Sequence, residues 1–162
     1  NSLLSLNPHL CWLDLWAFEA TAVELEQALS VSGQQQIIDK LTDRLLKLYR
    51  GAFLKNNDSG LVILTQEQLL NKLCRLLDRV INVYQASGAH ERVRHLLHQQ
   101  LEYKPLVENN YRRLMRHYAN QGQLDEALQI YRQCQRVLCQ GFNMQLSSDI
   151  QLLLKQIQSQ IV

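Results

Sequence analysis

The sequence predicts an all-α protein of about seven helices, and three observations carry that reading. Only six of its 162 residues are glycine and two are proline, too few turn formers to punctuate the many short strands of a sheet protein. Thirty-two are leucine, a residue that favours helix. Apolar residues return every three or four positions along most of the chain, the spacing of one helix face. With 46% apolar residues there is enough to fill one core, and disorder is excluded.

The elements follow in order. Leu15, Phe18, Ala22, Leu25 and Leu29 mark a first helix, which Gly33 breaks. Ile38, Leu41, Leu45 and Leu48, with Tyr49, mark a second, stopped by Gly51. Lys55 to Gly60 reads as a loop. Leu61 to Leu64 is a short apolar run that suits either an extended segment or the approach to a helix. Thr65 with Gln68 three residues later has the pattern of a capping box. The long third helix, carrying Leu69, Leu73, Leu76, Leu77, Val80 and Tyr84, is therefore expected to begin there. At the far end Ser147 or Ser148 is expected to cap a last helix, with Ile150, Leu153, Leu154, Ile157 and Ile161 on one stripe. Residues 1–10 read as a linker from a preceding region and 11–162 as a single domain, because no internal segment is long or polar enough to divide it.

Between these ends the chain repeats. Sliding the sequence by 34 residues places Tyr84 on Tyr118, Gly88 on Gly122, Val93 on Ala127 and Leu97 on Tyr131. The second copy is the clearer, with Tyr111, Leu114, Met115 and Tyr118, then Gly122, Ala127, Tyr131 and Cys134. The pattern resembles the tetratricopeptide repeat, with Pro105 at the closing position of the first copy. That resemblance implies a right-handed stack of antiparallel helix hairpins. The two repeats are flanked by a front hairpin and a closing helix that serve as caps, since each hairpin buries its face only against neighbours. Ala127 is small so that two helices can approach, Tyr118 and Tyr131 fill the space between helices, and Gly88 and Gly122 end helices in the left-handed conformation. Pro105 stops one helix and lets the next begin. These are packing positions.

The search for chemistry excludes most classes. Seventeen basic and fifteen acidic residues leave a net charge of +2, too balanced for nucleic-acid binding by the whole domain. No apolar run is long enough for a membrane span, and no secretory signal opens the chain. Cys11, Cys74, Cys134 and Cys139 form no C-x-x-C pair, and the last two, five apart, do not share a face of an α-helix. The thiols are expected to be reduced, the protein cytoplasmic, and Cys74 and Cys134 small buried hydrophobes. There is no phosphate loop and no nucleophile elbow. His95 and His98 sit one helical turn apart, but a zinc site needs three or four ligands, so both read as solvated histidines. No catalytic residue, metal or cofactor is expected.

The basic residues point to a partner. Arg112, Arg113, Arg116 and His117 punctuate a helix whose apolar stripe is Tyr111, Leu114, Met115 and Tyr118. The tetratricopeptide resemblance implies that the first helix of each hairpin lines a concave groove. Arg112 and Arg116 share a face with Asn109, and the matching face of the preceding first helix carries Arg75, Asp78, Asn82 and Gln85. The set reads either as a solvated helix surface or as a polar groove for an acidic peptide or helix. Tetratricopeptide domains that clamp a peptide carboxylate place a lysine where Asp78 stands, which argues against carboxylate capture.

Longer runs carry a second resemblance. His9 to Glu19, Leu45 to Leu54 and above all Lys104 to Cys134 resemble the bacterial transcriptional activator domain. That domain follows a winged helix in the Streptomyces antibiotic regulatory protein (SARP) family and in larger bacterial regulators. The likeness runs from about residue 9 to 158, and Tyr111 to Met115 with Gly122, Glu126, Ala127 and Tyr131 is its most specific part. Lys104 stands where an aspartate is usual before Pro105, and Gly141 to Ser147 departs from the usual approach to the last helix. The resemblance implies a non-catalytic interaction or oligomerisation module in transcription control. Its partners would be its own DNA-binding domain, a second copy in a homodimer, or the transcription machinery, with DNA contacted only through the winged helix. The alternative is a sensor module whose groove holds a small ligand or phosphopeptide.

Overall fold

The leucine periodicity becomes helix over most of residues 14–31, 33–49 and 59–160, which the computed structural model describes. Seven α-helices occur among these residues, with no strand: α1 Asp14–Ala28, α2 Gln35–Leu48, α3 Gly60–Ala86, α4 His90–Tyr103, α5 Glu108–Asn120, α6 Leu124–Cys134 and α7 Ser148–Ser159. A π-helical segment, Gln135–Gly141, continues α6 directly. The expected linker over residues 1–10, together with Cys11, Gly51, Lys55 and Ile161, lies outside the described residues. The contacts fall into two compact units, Asn1–Val83 and Tyr84–Val162.

In the first unit α1 and α2 pack against each other as the expected front hairpin, with Gly33 at φ +86° in the turn between them. α1 buries Ala17, Phe18, Ala22, Leu25 and Ala28, and α2 buries Ile38 and Leu45. The Phe18 and Tyr49 rings meet at 6.3 Å. Lys72 of α3 pairs with Glu19 of α1. α3 buries Leu69, Leu73, Leu76, Leu77, Val80 and Ile81, the predicted stripe with Ile81 added. Its start differs from expectation. The helix begins at Gly60, so Leu61 to Leu64 form its first turn with Leu61 largely exposed. Thr65 is no cap: its hydroxyl donates back to the Leu61 carbonyl at 2.8 Å, a bond available only inside a helix. Thr42, on the buried face of α2, has a hydroxyl with no hydrogen-bond partner among the described residues.

The second unit is centred on α5, which packs against α4, α6 and α7, while α6 also packs against α7. Tyr111, Leu114, Met115 and Tyr118 of α5 are buried, as are Val93, Leu96, Leu97 and Leu101 of α4, Ala127, Ile130 and Cys134 of α6, and Ile150, Leu153 and Ile157 of α7. The 34-residue period reappears in the backbone. Gly88 and Gly122 adopt φ of +71° and +73°. At each, the residue after the glycine donates to the carbonyl five residues back, Ala89 to Tyr84 and Gln123 to Tyr118, both at 2.9 Å. The glycines themselves donate to Gln85 and Ala119. These are two copies of the Schellman termination. A third left-handed stop, after the π-helical segment, is made by Asn143 at φ +53° and not by Gly141. Asparagine tolerates this region better than most residues.

Candidate functional site

Polar groups of five α5 residues set its neighbours in place. On the α4 side, Asn110 is 8% exposed and its amide donates to the carbonyls of Gln100 at 3.1 Å and Lys104 at 3.3 Å. Those carbonyls lie at the C-terminal end of α4, where each also accepts one backbone N–H, from Lys104 and Val107 respectively. Arg113 donates to the side-chain oxygen of Gln100 at 2.9 Å. The Tyr111 hydroxyl donates to the Pro105 carbonyl at 2.9 Å, tying the loop between α4 and α5 to the helix that follows.

On the α7 side, Glu108 accepts the Ser147 backbone N–H at 2.8 Å and the Ser147 hydroxyl with its other carboxylate oxygen. One turn on, Arg112 pairs with Asp149 and donates to Asn109 at 2.8 Å. Ser147 does occupy the residue before α7, as expected, but its hydroxyl serves Glu108 and caps no backbone N–H of α7. Glu108 and Arg112 therefore grip the start of the last helix.

The proposed groove residues divide accordingly. Arg116 is exposed, and Arg112 and Arg113 are half-buried by the bonds just described. Arg75, Asp78 and Asn82 fall in the first unit, whereas Gln85 falls in the second with Asn109 and the three arginines. The repeat positions Tyr84, Tyr111, Leu114, Tyr118 and Ala127 are buried, Tyr131 is half-buried and Pro105 is exposed.

Several residues of this region escaped the reading by residue type. His117, grouped with the basic surface residues, is buried. Its spacing held the signal: Asn110, Leu114 and His117 recur at four and three residues and face one way. His98, expected to be solvated, is half-buried and bonded to the Tyr118 hydroxyl at 2.9 Å, whereas His95 is exposed. Cys134 is buried and Cys74 only half-buried. Burial, with Glu108 and then Cys139 nearby, pushes the Cys134 thiol up to about 12, so it is an inert hydrophobe and no nucleophile.

No group of three or more His, Cys, Asp or Glu is placed to hold a metal ion among the described residues. No helix among them is long and apolar enough to cross a membrane. The family model of the bacterial transcriptional activator domain matches residues 13–158. No curated protein and no solved structure matches the chain.

Proposed function

Because the chain belongs to the bacterial transcriptional activator domain family, we propose that it serves a transcriptional regulator as its protein-interaction and oligomerisation module, supporting a winged-helix DNA-binding domain. The family is one of transcription regulators and not of enzymes. The candidate partner residues in this reading are Arg75, Asp78 and Asn82 in the first unit and Gln85, Asn109, Arg112, Arg113 and Arg116 in the second. The observation that carries it is Arg116, an exposed guanidinium on a helix held rigidly by its neighbours. A donor held on a fixed helix loses little ordering entropy when an acidic segment docks.

Arg116 is the useful probe, because Arg112 and Arg113 also hold α7 and α4. Arg116→Glu leaves folding within about 0.5 kcal/mol, as for surface changes generally, and costs partner affinity about 2 kcal/mol or more. The test is reporter activation by the whole regulator, with promoter binding and thermal stability measured in parallel. Loss of activation with both controls intact supports the groove. Full activation by Arg116→Glu removes Arg116 from the partner surface.

A further inference from the structure

Four aromatic side chains line the seam between α4 and α5 in an unbroken series. The His90 and His117 rings lie 6.1 Å apart, His117 and Tyr118 6.2 Å, and Tyr118 and His98 6.1 Å. Polar bonds cross between the elements: His98 Nε2 to the Tyr118 hydroxyl at 2.9 Å, Gln121 Nε2 to His90 Nδ1 at 3.2 Å, and a bond from His117 to the His90 backbone, which by itself raises the His117 pKa but is outweighed by burial. We propose that this series is a proton-sensitive latch, holding the first turn of α4 against the C-terminal end of α5 when the imidazoles are neutral and releasing it as the pH falls.

The geometry sets the direction. His117 is 8% exposed, so a proton on its ring places a positive charge where little water can solvate it, with the Arg94 guanidinium nearby. The charged groups acting on His117 are His90, Arg94 and Glu91, and those acting on His98 are Arg94, Glu102 and His95, all from α4. α6 and α7 also pack on α5, and they add no charged group to either set among the described residues. Glu91 is the one carboxylate near His117, and it is engaged by Arg94.

Burial, reinforced by these cations, holds the pKa of His117 and His98 below the ordinary 6.5. A base with a lower pKa folded than unfolded binds its proton more readily after unfolding. The stability it contributes is complete above pH 6.5 and declines as the pH falls towards the folded-state values. Histidine is the side chain suited to such a response near neutrality.

Thermal unfolding of the 162-residue chain tests the latch. Between pH 7.5 and 5.5 the parent should lose more than about 2 °C in Tm. His117→Gln, which cannot titrate, should lose less than half of that, whereas His95→Gln, an exposed neighbour on α4, should match the parent. An equal loss in His117→Gln and parent overturns the proposal. Should His117→Gln not fold, NMR titration of the parent decides. His117 titrating below 6.5, together with falling exchange protection of the Val93 and Arg94 amides in the same interval, supports the latch. Titration at or above 6.5, or constant protection, overturns it.

Discussion

Helix α5 is secured along two edges, each by side-chain hydrogen bonds, that differ in physics. Towards α4 it offers Asn110, 8% exposed, to a Gln100 that is 2% exposed. Towards α7 it offers Glu108 and Arg112 to Ser147 and Asp149, where the Asp149 side chain is 63% exposed. On the buried edge little water can take the place of a lost bond. On the open edge water replaces whatever is lost. The lesson is that bond number says little about strength, and that the cost of breaking a bond follows the solvent around it.

The largest effect expected is on the buried edge. Asn110→Ala removes a second donor from the Gln100 and Lys104 carbonyls, which keep their backbone bonds from Lys104 and Val107, and should destabilise by about 1–3 kcal/mol for the two lost bonds, read from the denaturant midpoint. A loss under about 0.5 kcal/mol would show that water reaches those carbonyls and would dissolve the distinction. Next is the C-terminal stop of α5. Gly122→Ala meets no neighbour within 4 Å, so its cost is purely the left-handed backbone, about 1–2 kcal/mol. Gly88→Ala, in the same termination 34 residues earlier, should cost the same within error. Unequal costs would break the equivalence of the two turns.

A buried polar group that lacks a partner among the described residues should behave in the opposite sense to Asn110. Thr42→Val replaces the unpartnered hydroxyl of α2 with a methyl and should stabilise by about 1 kcal/mol. A destabilised variant would mean that the hydroxyl is satisfied after all, by ordered water. The smallest effect belongs to the open edge. Arg112→Ala should cost no more than about 1 kcal/mol, and the coupling of Arg112 to Asp149 in a double-mutant cycle should shrink as salt is raised.

Much of this was legible along the chain because it is local. The Tyr84/Tyr118 and Gly88/Gly122 pairs could be read from spacing alone, since a helix stop depends on a few consecutive residues. The stripes of α1, α3 and α7 were legible for the same reason. The start of α3 was not. Thr65 matches a cap pattern, but Leu61 and Leu64 are equally good helix formers, and nothing nearby prevents the helix from reaching back to Gly60. The polar site was half legible. Residue type pointed to Arg112, Arg113 and Arg116, and only their neighbours could show that two of them are structural.

By itself the sequence determined the helical class, the 34-residue period, the left-handed stops at Gly88 and Gly122, and the family that residues 13–158 match. Each depends on short-range backbone preference or on a pattern of apolar positions, both carried within a few turns of chain. The tertiary structure alone decided that Asn110 closes the end of α4, that Glu108 and Arg112 hold α7, and that His117 is buried beside His90. A polar side chain can satisfy itself with water or with another chain segment. Which of the two it does depends on what the fold brings within about 3 Å of it, and for Arg112 that meant Asp149, 37 residues away.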